Sequence, residues 1–382
     1  MNLVVEALVN PESVKNLSDT QWDLLIRQAR SSELLAHLYH RFMAEGIFSS
    51  IPEKPKNHLK SDEVLATKQH EAARWEILQI YQALESIGTP LLLLKGAAYL
   101  HADLPPAPGR FFSDIDILVP KTVINDAEEK LHQWGWLTTH NDDYDQRYYR
   151  KWMHEIPPLQ HVGRHSTIDV HHNILPLTAR LHPDPEKMIQ ASVQIDESFE
   201  LYTLCPADMI LHSATHLFHD GELEHGLRDL VDLDRLLRHF GNDASFWETL
   251  INRANEIDLS RPLFYALRYT SKILNTPIPL KALNSKQLDK PAYPVQFFMD
   301  HLFLRALAPA HKSSNDWFTG IARWFLYIRS HYLRMPLHLL IPHLFYKAYL
   351  RPYKEWRENR GADSGKKTGG HKESESEIDI FE

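Results

Sequence analysis

The stretch Ser113-Asp114-Ile115-Asp116-Ile117-Leu118-Val119 decides how this chain is read. Polar and apolar residues alternate from Asp114 and Pro120 ends the run, which predicts a strand over 114–119. Residues i and i+2 of a strand share a face, so Asp114 and Asp116 present two carboxylates side by side while Ile115 and Ile117 turn to the core. Two adjacent like charges are costly unless something neutralises them. A hard divalent cation such as magnesium does so through oxygen ligands and keeps positions open for phosphate oxygens. The competing structural reading is an exposed strand whose aspartates are solvated or paired with Arg110.

Upstream, Gly88-Thr89-Pro90 makes a turn and Leu91 to Leu94 form an apolar run that Lys95-Gly96 ends, which predicts a buried strand. A strand–glycine–helix junction of this kind lets backbone N–H groups approach a phosphate. A short helix over 97–102 and a Pro-rich loop over 104–109 lead back to the Asp-x-Asp strand. Downstream, 123–134 reads as an amphipathic helix, and 151–161 and 166–174 as extended segments joined by Gly163-Arg164, a hairpin or neighbouring strands. The second of these holds Ile168-Asp169-Val170, with His171 on the face of Asp169 and His172 on the other. If it lies beside the first strand, Asp169 completes a three-carboxylate cluster. Such a cluster suits two metal ions about 4 Å apart, the arrangement for in-line phosphoryl displacement.

The order strand–Gly–short helix, Asp-x-Asp strand, then a lone Asp on a later strand resembles the nucleotidyltransferase superfamily that includes DNA polymerase beta. More narrowly, Leu92-Leu93-Leu94-Lys95-Gly96, Arg110 with 113–119, Ile168-Asp169-Val170-His171, and Leu227-Arg228-Asp229-Leu230 with Asp232-Leu233 look like a bacterial branch of uncharacterised nucleotidyltransferases. The resemblance runs over roughly 15–350. It implies an α+β fold, a small mixed β-sheet core with flanking helices and an all-helical C-terminal lobe. It also implies that Asp114, Asp116 and Asp169 bind two magnesium ions and that Asp169 helps activate the attacking hydroxyl. Lys95, Gly96, Arg110, Ser113 and His171 are then the nucleotide-side candidates. The implied reaction moves a nucleoside monophosphate from an NTP, ATP first among them, to a hydroxyl of a small molecule, sugar or protein, releasing pyrophosphate. The sequence departs from the wider superfamily in having Ala97, not Ser or Gly, after Gly96, and a longer loop before Asp114. Those departures motivate the alternative, a nucleotide-binding or interaction module on the same fold with weakened catalysis.

The rest of the chain is predicted to be helical over 1–86, in two stretches at 18–46 and 61–86, and again from Cys205 to about Tyr353. The expected organisation is a helical region at 1–86, the core at 87–200, a helical lobe at 201–359 and a disordered tail at 360–382. That tail is rich in Gly, Lys, Ser and Glu. The 382 residues carry 42 Lys plus Arg against 50 Asp plus Glu, a formal net charge of −8 that argues against a surface built wholly for nucleic acid. The single cysteine, Cys205, excludes an internal disulfide and a Cys-based zinc cluster. Met1 to Asn10 lacks the basic-then-apolar pattern of a leader, and no run of about 18 apolar residues occurs, so a cytoplasmic location is expected. Among the 24 histidines, His212, His216 and His219 share a predicted helix face, read as packing or cleft-lining in preference to zinc. Arg228 and Asp229 read as a salt bridge in the helical lobe. Finally, 305–357 interleaves nine Lys or Arg with aromatics against only Asp316 and Glu355, a pattern suited to a membrane surface or an anionic polymer.

Overall fold

The computed structural model describes residues 2–346 except 140, 141, 197, 222 and 224. The predicted tail and the part of the basic aromatic stretch beyond residue 346 lie outside the described residues. Met1–Arg334 form one compact unit, and a second begins at Met335.

The first unit opens with helices α1 (Leu3–Val9), α2 (Asp19–Ser31), α3 (Leu35–Ala44) and α4 (Glu53–Leu84). A capping box between Ser18 and Gln21 starts α2. The single helix expected over 18–46 is broken in two. Glu33 takes a left-handed φ of 55° and Leu34 N–H reaches back to Ala29 C=O, a helix stop made without glycine. Helix α4 begins eight residues before the expected 61, because Pro55 falls in its first turn, where a missing N–H costs nothing.

The core follows as β1 (Leu91–Leu93), α5 (Lys95–His101), β2 (Ile115–Leu118), α6 (Ile124–Gln133), β3 (Trp136–Thr138), α7 (Asp143–Trp152), β4 (Leu159–His161) and β5 (Thr167–His171). Then come α8 (Pro185–Gln190), β6 (Val193–Asp196) and β7 (Leu201–Thr203). The extended reading of 151–161 is corrected: Lys151 and Trp152 close α7, and only the last three residues are strand. The seven strands make one mixed sheet in the order β3-β4-β5-β2-β1-β7-β6. β2 runs parallel to β5 and antiparallel to β1, and β4–β5 is the hairpin around Gly163-Arg164.

The sheet has two apolar faces because its strands alternate. Leu91, Leu93, Ile115, Ile117, Ile168 and Val170 pack with Ile77 and Ile80 of α4 and Leu131 of α6. Leu92, Leu94 and Leu118 join the larger helical core on the other side. That core is built by α1–α3 together with α9 (Pro206–Thr215), a π-turn (His216–Asp220), α10 (Gly226–Phe240), α11 (Phe246–Glu256), α12 (Ser260–Leu274), α13 (Leu280–Leu283), α14 (Tyr293–Ala306) and α15 (Thr319–Arg334). The second unit contains α16 (Leu337–Phe345). The protein is thus a mixed sheet with flanking and C-terminal helices, as expected. No helix among the described residues is long and apolar enough to cross a membrane.

Candidate active site

Parallel pairing of β2 with β5 sets Asp116 opposite Asp169 in register. Their isoleucine and valine neighbours face the α4–α6 core, so both carboxylates emerge on the opposite side. Asp116 is buried, and its Oδ1 lies 3.1 Å from Lys95 Nζ and 2.9 Å from His171 Nε2. His171 Nδ1 in turn lies 3.3 Å from Glu155 Oε2, brought there by an isolated bridge between Glu155 and the end of β5. Burial opposes the charge on Asp116, but the Lys95 ammonium and the His171 imidazole outweigh it and hold the carboxyl well below the usual range. Asp169 goes the other way. Burial, then the neighbouring Asp116 and Glu155, push it up to about 8. His171 loses proton affinity to burial, yet Asp116 and Glu155 raise it overall.

Lys95 reaches Asp116 from the first residue of α5 with a left-handed φ of 44°, a conformation a non-glycine residue rarely adopts. Next to it, Gly96 leaves no room for a side chain. A Cβ there would stand 2.4 Å from Arg110 Nη1 and 2.5 Å from Phe112 Cε1. Arg110 is itself buried: Nε donates to Asp232 Oδ2 of α10 at 2.8 Å, and the guanidinium lies 5.8 Å from the Tyr99 ring and 5.6 Å from the Phe112 ring. Helix α4 holds this loop from behind. Gln69 exchanges two hydrogen bonds with the backbone of Phe112, and His70 Nε2 meets Arg110 C=O at 2.7 Å. Ser113 Oγ donates to Asp114 Oδ1 at 2.8 Å at the mouth. The aspartates therefore do not pair with Arg110. Lys95 and His171 are the groups that meet Asp116.

Lys95, Gly96, Arg110, Ser113, Asp114, Asp116, Asp169 and His171 all line one cleft of about 230 Å³. The cleft also takes His154, Glu155 and Arg334, to which spacing alone assigned no role, together with His216, read as packing or cleft-lining, and Arg228 and Asp229, read as a salt bridge. His154 and Glu155 arrive through the bridge to β5, a long-range pairing that leaves no periodic trace. Arg228 does form the expected ion pair with Asp229, at 3.0 Å, and a second with Glu33. The three helical histidines do not converge: His216 lines this cleft, His219 lines another recess, and His212 is buried and held well below its ordinary value by burial and by Lys95. Among the described residues the group with metal-ligand spacing is His154, Glu155 and His171, whose ligand atoms lie within 4.8 Å of one another.

The site thus concentrates carboxylates and fixed cations around a polar cavity, a setting suited to a polyanion held together with a cation. The buried Oδ1 of Asp169 has no hydrogen-bond partner, so its donor set is incomplete without a further group. No curated protein matches the chain. A family model described as uncharacterised nucleotidyltransferase matches residues 18–275, a span that contains all these carboxylates, both strands that pair them and the Asp232 that anchors Arg110, and the chain belongs to that family.

Proposed function

We propose that the protein moves a nucleoside monophosphate from a nucleoside triphosphate, ATP first among donors, to a hydroxyl of a small molecule, a sugar or a protein. The acceptor oxygen bonds to the α-phosphorus, the bond from that phosphorus to the bridging oxygen breaks, and pyrophosphate leaves. The observation that carries this reading is the register pairing of Asp116 with Asp169 in a cleft that also holds Asp114, Lys95, Arg110 and Arg228. On this reading Asp114, Asp116 and Asp169 would hold magnesium, supported by the partnerless buried Oδ1 of Asp169 and by an oxygen donor set that a hard cation prefers. Bound there, one or two magnesium ions would supply charge stabilisation to the phosphate oxygens.

The remaining work falls to side chains. Asp169, once ionised, takes the proton of the acceptor hydroxyl. On this reading Lys95 and Gly96, both in the cleft lining, contact the triphosphate, and Arg110, locked on Asp232, presents a fixed positive field. His171 spans Asp116 and Glu155 and orients both. Pyrophosphate release from a panel of NTPs, with and without magnesium, tests the reading. Asp114→Asn with Asp116→Asn should abolish it, and undiminished turnover in that double variant sinks the assignment. The Lys95–Asp116 ion pair and Ala97 favour one second reading, a nucleotide-binding module with weakened catalysis. Tight ATP binding with no pyrophosphate release on any acceptor would select it.

A further inference from the structure

Helices α14 and α15 turn to solvent a face on which aromatic side chains predominate. Phe298 of α14 is 46% exposed, Trp324 and Phe325 of α15 are 58% and 41% exposed, and Trp317, just before α15, stands 89% exposed. The patch is continuous across the two helices, since Phe298 meets Phe325 edge to face at 5.8 Å and Trp324 lies 5.2 Å from Phe325. Single exposed apolar residues need no explanation, but a contiguous aromatic patch marks a contact surface.

Charge indicates what that surface meets. From Trp317 to Leu333 the sequence contains no Asp or Glu, yet it holds Arg323 and Arg329, in a chain of formal net charge −8. The acid just before it, Asp316, is neutralised by Arg305 at 2.8 Å. A second copy of the chain would set like charges face to face. An anionic lipid surface complements both properties, because Trp and Tyr settle at headgroup level and Lys and Arg are drawn to acidic lipids.

A recess of about 260 Å³ opens beside this face, walled by Val295 and Met299 of α14 and Leu333 of α15. It holds Arg180, Arg261 and Arg329, with Asp289 as the carboxylate in its lining. Asp289 is engaged by Arg261 at 2.7 Å. Arg329 donates to Phe218 C=O at 2.7 Å and lies 5.3 Å from the Tyr265 ring, and no carboxylate pairs with it among the described residues. A guanidinium facing only neutral acceptors is the donor a phosphodiester needs.

We propose that the α14–α15 face docks on an anionic bilayer without crossing it, with its aromatic side chains at headgroup level and a lipid phosphate in the recess at Arg329. The proposal stands apart from nucleotidyl transfer, so its failure leaves that reading untouched. The full chain is sedimented with vesicles of phosphatidylcholine alone or containing about 30% phosphatidylglycerol. The expected result is co-sedimentation with the anionic vesicles, about tenfold or more weaker with the neutral ones, and weakening at about 0.5 M salt. The surface variant Trp317→Ser, Trp324→Ser, Phe325→Ser should lose binding about tenfold while its melting curve and pyrophosphate release match the parent. Arg329→Gln, its folding checked by the same melt, should narrow the preference for anionic over neutral vesicles. A parent chain that stays in the supernatant with both vesicles overturns the proposal, as does a triple variant that binds like the parent. So does a dimer, or an RNA complex, that the triple variant dissociates in the absence of vesicle binding.

Discussion

Replacing Gly96 with alanine adds one methyl group where the structure has no space for it. Its Cβ would sit 2.4 Å from Arg110 Nη1 and 2.5 and 2.7 Å from two carbons of the Phe112 ring, all about 1 Å inside ordinary contact. Neither neighbour yields freely. Phe112 is fixed at its backbone by Gln69, and Arg110 is tied to Asp232 at 2.8 Å. Moving the guanidinium by about 1 Å would take that bond past hydrogen-bond range. Overpacking costs about 1–3 kcal/mol, and losing a buried pair outright costs about 3–5 kcal/mol, of which partial displacement forfeits a fraction. Alanine regains at most about 1 kcal/mol of helix propensity, and less this close to the start of α5. The net expectation is destabilisation by about 2–3 kcal/mol together with weaker ATP binding. Urea unfolding gives the first quantity and calorimetric titration with ATP the second. Adding Phe112→Ala, which makes room, should recover about 1 kcal/mol relative to additivity. A Gly96→Ala protein as stable as the parent, with the same ATP affinity, would refute the crowding argument.

Two other perturbations probe different links. Because Asp169 is raised to about 8, the folded chain keeps a proton that the unfolded chain releases above about pH 4. Metal-free stability therefore falls as pH rises from about 4 to 8, by at most about 1.4 kcal/mol per unit. Asp169→Asn, neutral throughout, should flatten that slope by about 1 kcal/mol per unit while abolishing transfer; parallel urea midpoints between about pH 6 and 8 would contradict it. Outside the cleft lining, Arg253 grips the fully buried Asp208 through bonds of 2.7 and 2.8 Å, so Arg253→Ala should cost about 3–5 kcal/mol and leave NTP specificity unchanged. A loss under about 1 kcal/mol would show that water replaces the guanidinium.

The carboxylates were legible because their signal is local. Asp114 and Asp116 sit in one strand whose alternation shows in a few residues, and the leucine run before Lys95 has no reading but burial. That Asp169 faces Asp116 was an inference about which strands neighbour one another, and the β2–β5 register supplies it. Other features rest on distant contacts. Strands β3, β6 and β7 have three or four residues each and are too short for any period to emerge. The break at Glu33 carries no glycine or proline, and its side chain is engaged by Arg228, far along the chain. Residues 151–161 look extended because Pro157 and Pro158 stand among them, whereas α7 is set by the Asp142 cap nine residues before Lys151. His154 and Glu155 enter the cleft only once β5 lies beside them.

The ion pair between Arg110 and Asp232 also constrains how the protein is made. Its partners are 122 residues apart. At a synthesis rate of about 5–20 residues per second, the arginine leaves the ribosome about 6–24 s before its carboxylate. During that interval burial of Arg110 would strand an unpaired charge, so the loop from Pro105 to Ser113 must stay hydrated although α4, β1 and α5 are already complete. The sheet neighbours impose shorter waits of the same kind, since β1 pairs with β7 and β2 with β5. The cleft thus closes only once the first turns of α10 arrive, and until the later helices pack on it the half-made protein leaves Leu92, Leu94 and Leu118 uncovered, while α4 and α6 already cover the other face of the sheet.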